Sequence, residues 1–213
     1  MTQLGLWRVF PWDTRARSGG EFSPDFRPVG QGAGRFDIPD LTAVWYFGES
    51  PEHAVGEVIQ GLRNQTLERN DLIRDGHPLA LVHVTVELSA RRLKSFPDLC
   101  DPGVLAERDI RPDTLASFDF SRTQAIARQL FSEDCIGFRW WSALGGDWHT
   151  TVLFDANCND VLKFGLPARL TLESESVVKA AATLAIEVGS ASPPTRAPAR
   201  GLRSTKSSGH KQT

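Results

Sequence analysis

The clearest alternation of apolar and polar positions lies in residues 79–88, which read LALVHVTVEL. Side chains of a strand point alternately to its two faces, so this period of two predicts a strand with one buried face. Residues 43–47 (AVWYF) form a short run of aromatic and β-branched side chains, which predicts a buried strand. Shorter apolar runs predict three more strands, over residues 136–142, 150–154 and 161–164.

A helix is predicted shortly after the aromatic run. Ser50 can accept a hydrogen bond from the free amides of the first turn, and Pro51 suits the first helical position. Apolar residues then recur every three or four positions and form one amphipathic stripe, which consists of Ala54, Val55, Val58, Ile59 and Leu62. A second helix is predicted over residues 122–131, with Ile126 and Leu130 facing the core.

The order of these elements predicts the fold class. Helices and strands are interspersed without regular βαβ alternation, so we predict a single α+β domain over residues 1–188, with a small mixed sheet flanked by helices. Residues 19–40 are rich in Gly and Pro, which predicts loops. Residues 189–213 contain mainly Ser, Pro, Ala, Gly and basic residues without an apolar period, and this composition predicts a disordered tail.

Composition excludes several classes of protein. The chain has 213 residues, 40% of them hydrophobic, so it can fold around one core without disulfides. Its three cysteines (Cys100, Cys135 and Cys158) are far apart and lack a CxxC spacing, which indicates a reducing cytoplasm and no structural zinc. The five histidines show no metal-ligand spacing, so we expect no metal site. No apolar run approaches the ~18 residues of a membrane helix, and the N-terminus lacks the pattern of a signal peptide.

The formal net charge of −2 conceals an uneven distribution. No acidic residue follows Glu187, whereas the tail carries five basic residues, and the body is left with 19 basic and 26 acidic residues. An acidic body argues against nucleic-acid binding by the domain, because such binding requires a basic surface. The basic tail could hold RNA, a membrane surface or a partner protein, or it could be a solvated extension.

Two charged residues could bind or act on a ligand. Glu57 lies away from the apolar stripe of its predicted helix, so it is either a solvated surface residue or a carboxylate available for chemistry. Arg35 lies in the glycine-rich residues 32–36 (GAGRF), where the backbone can approach a ligand closely and the arginine fork can match phosphate oxygens. A structural arginine is the alternative. The segment is neither a Walker loop nor a dinucleotide fingerprint.

Trp140, Trp141 and Trp148 fall within nine residues of one another. Such a cluster is either part of the core or a flat wall for a planar ring. Ser142 follows without the GxSxG pattern of a hydrolase, so a hydroxyl that positions a ligand is favoured over a nucleophile. His149 precedes a predicted strand and either hydrogen-bonds a ligand or is structural.

Several of these features occur in one order that resembles the RES domain family, which is named for an Arg, a Glu and a Ser. The resemblance covers about residues 5–165. It rests on four stretches: WRV at 7–9, GRFD at 34–37, VWYFGESP at 44–51 running into AVGE at 54–57, and GFRWWS at 137–142 followed by VLF at 152–154.

The resemblance implies a fold related to the ADP-ribosyltransferases and an enzyme that degrades NAD+. Characterised RES proteins are toxins neutralised by an Xre-type antitoxin, and they break the bond between nicotinamide and ribose by phosphorolysis or hydrolysis. NAD+ would be the substrate, inorganic phosphate would be the co-substrate of phosphorolysis, and no cofactor is implied. By position match, the catalytic residues are Arg35, Tyr46, Glu57 and Ser142. The expected substrate-binding residues are Arg8, Gly34, Phe36, Trp141 and His149.

Two other functions stay open at this point. The same pocket could transfer ADP-ribose to a macromolecule, which would leave a mass shift on protein or nucleic acid. A RES-like fold could instead serve as a non-catalytic binding module, although the four intact family residues argue against this. The sequence does not decide between phosphate and water as the nucleophile.

Overall fold

The structure is a computed structural model that describes residues 1–27, 31–145 and 147–189. Its strands are β1 (Thr2–Pro11), β2 (Val44–Gly48), β3 (Thr66–Leu67), β4 (Ile73–Arg74), β5 (His77–Leu88), β6 (Gly137–Trp141), β7 (His149–Phe154), β8 (Leu162–Phe164), β9 (Ala168–Arg169) and β10 (Glu187–Val188). Its helices are α1 (Pro51–Ile59), α2 (Ala90–Lys94), α3 (Pro102–Glu107), α4 (Pro112–Leu115), α5 (Phe120–Ser132), α6 (Asp155–Cys158) and α7 (Glu175–Thr183), with 3-10 turns at Gln60–Leu62 and Arg69–Leu72. The predicted tail lies outside the described residues from residue 190 onward.

One antiparallel sheet holds eight strands in the described part of the chain. Its order is β4-β5-β1-β2-β7-β6, and β8 and β9 also pair with β5. The α+β class is confirmed, but the prediction of a small mixed sheet is wrong. Parallel pairing occurs outside this sheet, between β3 and β10, over two residues of each strand. Strand direction depends on which distant segments become neighbours, and a local pattern does not contain that information.

The strand β1 was not predicted, although it lies inside the sheet and pairs with β5 from Thr2↔Leu88 to Pro11↔Leu79. Leu6 and Phe10 are buried in one core cluster, whereas Trp7 and Val9 pack against another on the opposite face. Because both faces are covered, β1 lacks the simple apolar–polar alternation that marks a strand with one solvated face.

Elements that are determined by neighbouring residues in the sequence form where they are predicted. The Ser50 side chain accepts a hydrogen bond from the backbone N–H of His53, and α1 begins at Pro51. Ile126 and Leu130 of α5 are buried, as the helical period indicated. The predicted strand over residues 79–88 is the main part of β5.

Two clusters of buried side chains position the functional site. One packs α1 against α7 and the adjoining face of β1 and β5. The other packs α3, α4 and α5 against β2, β6 and β7. Side chains from both clusters border the cavity described below, so the cavity walls are held by the core rather than by loops alone.

Candidate active site

A cavity of about 520 Å³ lies over β1 and β2. This volume is in the range of small-molecule sites, which is roughly 300–1,000 Å³. Five of the nine predicted site residues line it: Arg8, Gly34, Arg35, Tyr46 and Glu57. Residues that are 49 positions apart in sequence therefore share one space, because β1, the glycine loop, β2 and α1 meet at it.

The glycine loop is folded around the buried carboxylate of Asp37. Oδ2 of Asp37 accepts hydrogen bonds from the backbone N–H groups of Gly32 at 2.8 Å and Gly34 at 2.7 Å. A Cβ atom at residue 34 would lie 2.6 Å from Oδ1 of Asp37, so this close approach requires glycine. The loop presents Arg35 to the cavity because the Asp37 carboxylate fixes the two glycines that precede it.

Tyr46 connects β2 to the same loop. Its hydroxyl donates to Oδ1 of Asp37 at 2.8 Å and accepts from the backbone N–H of Phe36 at 3.0 Å. Burial and the neighbouring Asp37 carboxylate raise the pKa of Tyr46 well above its ordinary value. Tyr46 is therefore a neutral phenol that holds the loop in place, and a tyrosinate base is not available here.

The Arg35 guanidinium is surrounded by aromatic rings. It lies 4.9 Å from the ring centroid of Phe120, 5.2 Å from that of Trp140 and 5.9 Å from that of Phe118. Its Nη1 atom donates to two backbone carbonyl oxygens, those of Leu115 and Ser117. Burial lowers the pKa of Arg35, while Glu57 and Tyr46 act in the opposite direction.

Arg8 provides a second cation on the floor of the cavity. Its guanidinium lies 4.9 Å from the ring centroid of Trp45, and its Nη1 donates to the carbonyl oxygens of Pro24 at 2.7 Å and Phe26 at 3.3 Å. Burial lowers the pKa of Arg8 to about 10, partly offset by Asp25, so the side chain stays charged at neutral pH. Among the described residues, no carboxylate lies within ion-pair distance of Arg8 or Arg35.

Glu57 is the carboxylate of the cavity. Its side chain is 41% exposed, so a ligand can reach it. Oε1 receives a hydrogen bond from the Ser142 hydroxyl at 2.9 Å and lies 3.0 Å from Nε2 of His53. Oε2 accepts from the Gln60 side chain at 3.2 Å. The structure thus brings together Glu57 and Ser142, although Ser142 is buried behind the carboxylate and does not itself line the cavity.

Three residues expected to bind substrate, Phe36, Trp141 and His149, do not line the cavity. Phe36 is fully buried and packs edge-on against Phe138 and Trp140. Trp141 and His149, which pair with each other across β6 and β7, lie outside the lining. Trp140 occupies the wall instead of Trp141, because successive side chains of a strand point to opposite faces.

Sequence reasoning missed His53 and Gln60, the two residues on the helical segment that contact Glu57. A signal for both was present: residues three and four positions apart on a helix are neighbours, and His53 and Gln60 stand at those spacings from Glu57. Their roles were not apparent because the spacing alone does not distinguish a functional contact from a surface pair.

The described residues contain neither a metal-binding cluster nor a helix that could cross a membrane. No group of three or more His, Cys, Asp or Glu residues there is arranged to hold a metal ion. The three cysteines are free thiols. None of the helices described above is both long enough and apolar enough to cross a membrane.

Comparison with known proteins gives the family. A search of curated proteins found no significant match. Among solved structures, the chain is similar to one in the crystal structure of the M. tuberculosis MbcT-MbcA toxin-antitoxin complex, with a TM-score of 0.54 and 19% sequence identity over 80% of this chain and 85% of that chain. At this identity the likeness shows a shared fold. The sequence model of the RES domain matches residues 6–174, and the resemblance inferred from the motifs is thereby confirmed: the protein belongs to the RES domain family.

Proposed function

We propose that this protein is an NAD+-degrading enzyme that cleaves the bond between nicotinamide and ribose. One observation carries the proposal: a single cavity holds the carboxylate Glu57 together with two arginines, Arg8 and Arg35, that have no carboxylate partner among the described residues. NAD+ has the complementary groups, because its pyrophosphate is anionic and its ribose hydroxyls are hydrogen-bond donors.

The arginines have hydrogen-bonding capacity left for an anion. Arg8 and Arg35 each use Nη1 for two backbone carbonyls, and neither Nε nor Nη2 has a hydrogen-bond acceptor among the described residues. A guanidinium carries five N–H donors in a planar fork, so each arginine can still form paired hydrogen bonds to phosphate oxygens. Either the pyrophosphate of NAD+ or an attacking inorganic phosphate would satisfy them.

Glu57 would act on the ribose. When the bond from C1′ to the nicotinamide nitrogen breaks, its electron pair returns to the pyridinium ring, and nicotinamide leaves as a neutral molecule. Positive charge then develops on the ribose ring, as in glycoside cleavage. A carboxylate already held in place by hydrogen bonds stabilises that charge without reorganising. No general acid is needed for the leaving group, and phosphate or water completes the reaction by bonding to C1′ and losing a proton to solvent.

The biological role belongs to the same proposal. The solved structure of similar fold is named as a toxin–antitoxin complex, and RES membership implies NAD+ depletion as the toxic activity. We therefore infer that this chain acts as a cytoplasmic toxin and that a protein antitoxin of the Xre type binds it. RES membership also implies a fold related to the ADP-ribosyltransferases. This relation is part of the same inference, because NAD+ degradation and ADP-ribosyl transfer break the same bond of NAD+.

Product analysis tests the proposal. The full-length protein is mixed with NAD+, with and without inorganic phosphate, and the products are identified by mass spectrometry. Phosphorylated ADP-ribose or free ADP-ribose together with nicotinamide supports the proposal and identifies the nucleophile. A mass shift on protein or nucleic acid would establish ADP-ribosyl transfer instead. Intact NAD+ at high protein concentration would exclude both enzymatic functions and favour a non-catalytic binding module.

A matched pair of variants ties the activity to the cavity. Glu57→Gln removes the charge but keeps the shape of the side chain, so we expect NAD+ loss to fall by about 100-fold or more. Glu52→Gln makes the same change on the same helix, at a residue that does not line the cavity, and should leave the rate unchanged. Equal activity in the two variants would remove Glu57 from the mechanism.

A further inference from the structure

His53 is buried directly behind the candidate catalytic carboxylate. It lies on α1, one helical turn before Glu57, and only 1% of its side chain is exposed. Its Nε2 atom is 3.0 Å from Oε1 of Glu57, and its ring stacks on Trp148 with 5.2 Å between ring centroids. The chemistry proposed for Glu57 leaves this buried histidine, aimed at the cavity carboxylate, without a role.

The surroundings of His53 decide where its proton lies. Nδ1 is buried and has no hydrogen-bond partner among the described residues. A proton on Nδ1 would leave a buried N–H without an acceptor and would turn the Nε2 lone pair towards a carboxylate oxygen, and both are unfavourable. The neutral tautomer protonated at Nε2 avoids both costs. His53 is therefore a donor to Glu57.

Ser142 donates to the same oxygen. The Ser142 hydroxyl oxygen accepts the backbone N–H of Leu144 at 3.1 Å, so its own proton is free to bond Oε1 of Glu57. Oε1 thus receives two hydrogen bonds, which is about the number a carboxylate oxygen takes. Oε2 has one, the 3.2 Å bond from Gln60, and keeps acceptor capacity for a ligand.

The segment between β6 and β7 holds both donors in place. The backbone N–H of Ser142 donates to the carbonyl oxygen of Trp148 at 2.7 Å. The Trp148 ring covers His53 and rests on α1 at Gly56, where a Cβ atom would lie 2.5 Å from the ring. One short segment therefore supplies the Ser142 hydroxyl and fixes the His53 ring, and Glu57 is held from two sides.

We propose that His53 is a positioning residue: it donates from Nε2 to Oε1 of Glu57 and, with Ser142, orients the carboxylate so that Oε2 is the oxygen offered to the ribose hydroxyls of NAD+. The choice of NAD+ as ligand rests on the function proposed above. The hydrogen bond and the tautomer do not, because they follow from the contacts of His53 within the protein.

Three variants of the full-length protein test the role. A glutamine amide reaches the place of Nε2, whereas an asparagine amide reaches only that of Nδ1, so His53→Gln keeps the donor and His53→Asn is its matched control. We expect His53→Gln to keep kcat for NAD+ loss within about threefold of the wild type. His53→Asn and His53→Leu should lose about 10- to 100-fold in kcat, the effect of one charge-assisted hydrogen bond, with a much smaller change in KM.

The melting temperature separates positioning from folding. Similar melting temperatures for His53→Gln and His53→Asn, with only the former active, support the proposal, because a merely structural role would not distinguish the two amides. Equal kcat in His53→Asn and the wild type overturns it. If the wild type itself does not consume NAD+, the proposed function is wrong, and the activity attributed to this arrangement falls with it.

A measurement independent of activity tests the hydrogen bond itself. In protein labelled with ¹⁵N at histidine, NMR distinguishes the two ring nitrogens of the buried His53. We expect Nε2 to carry the proton and Nδ1 to be bare. A ring protonated at Nδ1 alone, with Nε2 bare, overturns the proposal whether or not the protein turns over NAD+.

Discussion

The ionisation of Tyr46 provides a direct measurement of the loop geometry. Tyr46 is the one tyrosine of the sequence, so the ultraviolet absorbance of tyrosinate reports on its hydroxyl alone. Ionisation would break the hydrogen bond donated to Asp37 and place a second negative charge beside that carboxylate. Because burial and Asp37 raise the pKa of Tyr46, we expect no tyrosinate signal from the folded protein near pH 10, the ordinary value for tyrosine.

The same shift makes stability depend on pH in a defined direction. The folded state binds the phenolic proton more tightly than the unfolded chain does, so the contribution of Tyr46 is complete below about pH 10 and is lost as the pH rises further. The stability of the Tyr46→Phe variant should lack this dependence on pH, because phenylalanine has no hydroxyl to ionise. The variant also loses the bond to Asp37 and leaves the Phe36 N–H without its acceptor, which together should lower the free energy of unfolding by about 2–5 kcal/mol.

The assay is an alkaline absorbance titration combined with urea unfolding at neutral and at alkaline pH. Protein unfolded in urea is the control and should titrate at about pH 10. A tyrosinate transition near pH 10 in protein that is still folded would refute the reasoning. So would a Tyr46→Phe variant as stable as the wild type, because the hydroxyl would then not be holding the glycine loop.

Four further substitutions, the first with a matched control, test the cavity. Gly34→Ala should cost about 1–3 kcal/mol in urea unfolding, because the new methyl group meets a buried carboxylate, whereas Gly61→Ala, where a Cβ atom meets nothing within 4 Å, is the control; equal stability of the two would contradict the loop packing. Arg8→Gln and Arg35→Gln should each raise KM for NAD+ about 10- to 100-fold through lost phosphate contacts, and an unchanged KM would exclude the arginine from binding. Ser142→Ala should lower kcat about 10- to 100-fold, and a change confined to KM would argue against its bond to Glu57.

The elements that sequence reasoning located are those encoded by neighbouring residues. The cap at Ser50 and the stripe of α1 are local, so the helix and the exposed position of Glu57 on it could be predicted. The alternation in β5 is equally local. The four family residues were located through motif order, and the structure places three of them in the cavity lining and Ser142 against Glu57.

What sequence reasoning missed depends on contacts between distant segments. The position of β1 inside the sheet follows from its pairing with β5, which no local pattern contains. Whether Trp140 or Trp141 faces the cavity depends on a register of one residue in β6. The role proposed for His53 depends on two residues distant in sequence: Trp148, which covers its ring, and Ser142, which donates to the same carboxylate oxygen of Glu57.

The position of β1 inside the sheet affects the stage of synthesis at which the cavity can be completed. Arg8 stands on a strand whose longest pairing, with β5, can form only after β5 has been synthesised, and the Glu57 carboxylate gains the hydrogen bond from Ser142 only with the segment after β6. Contacts of this range slow folding, because the chain must close long loops before it gains their energy. A nascent or truncated chain that ends before this segment would thus carry the family motifs of its first half without the completed cavity.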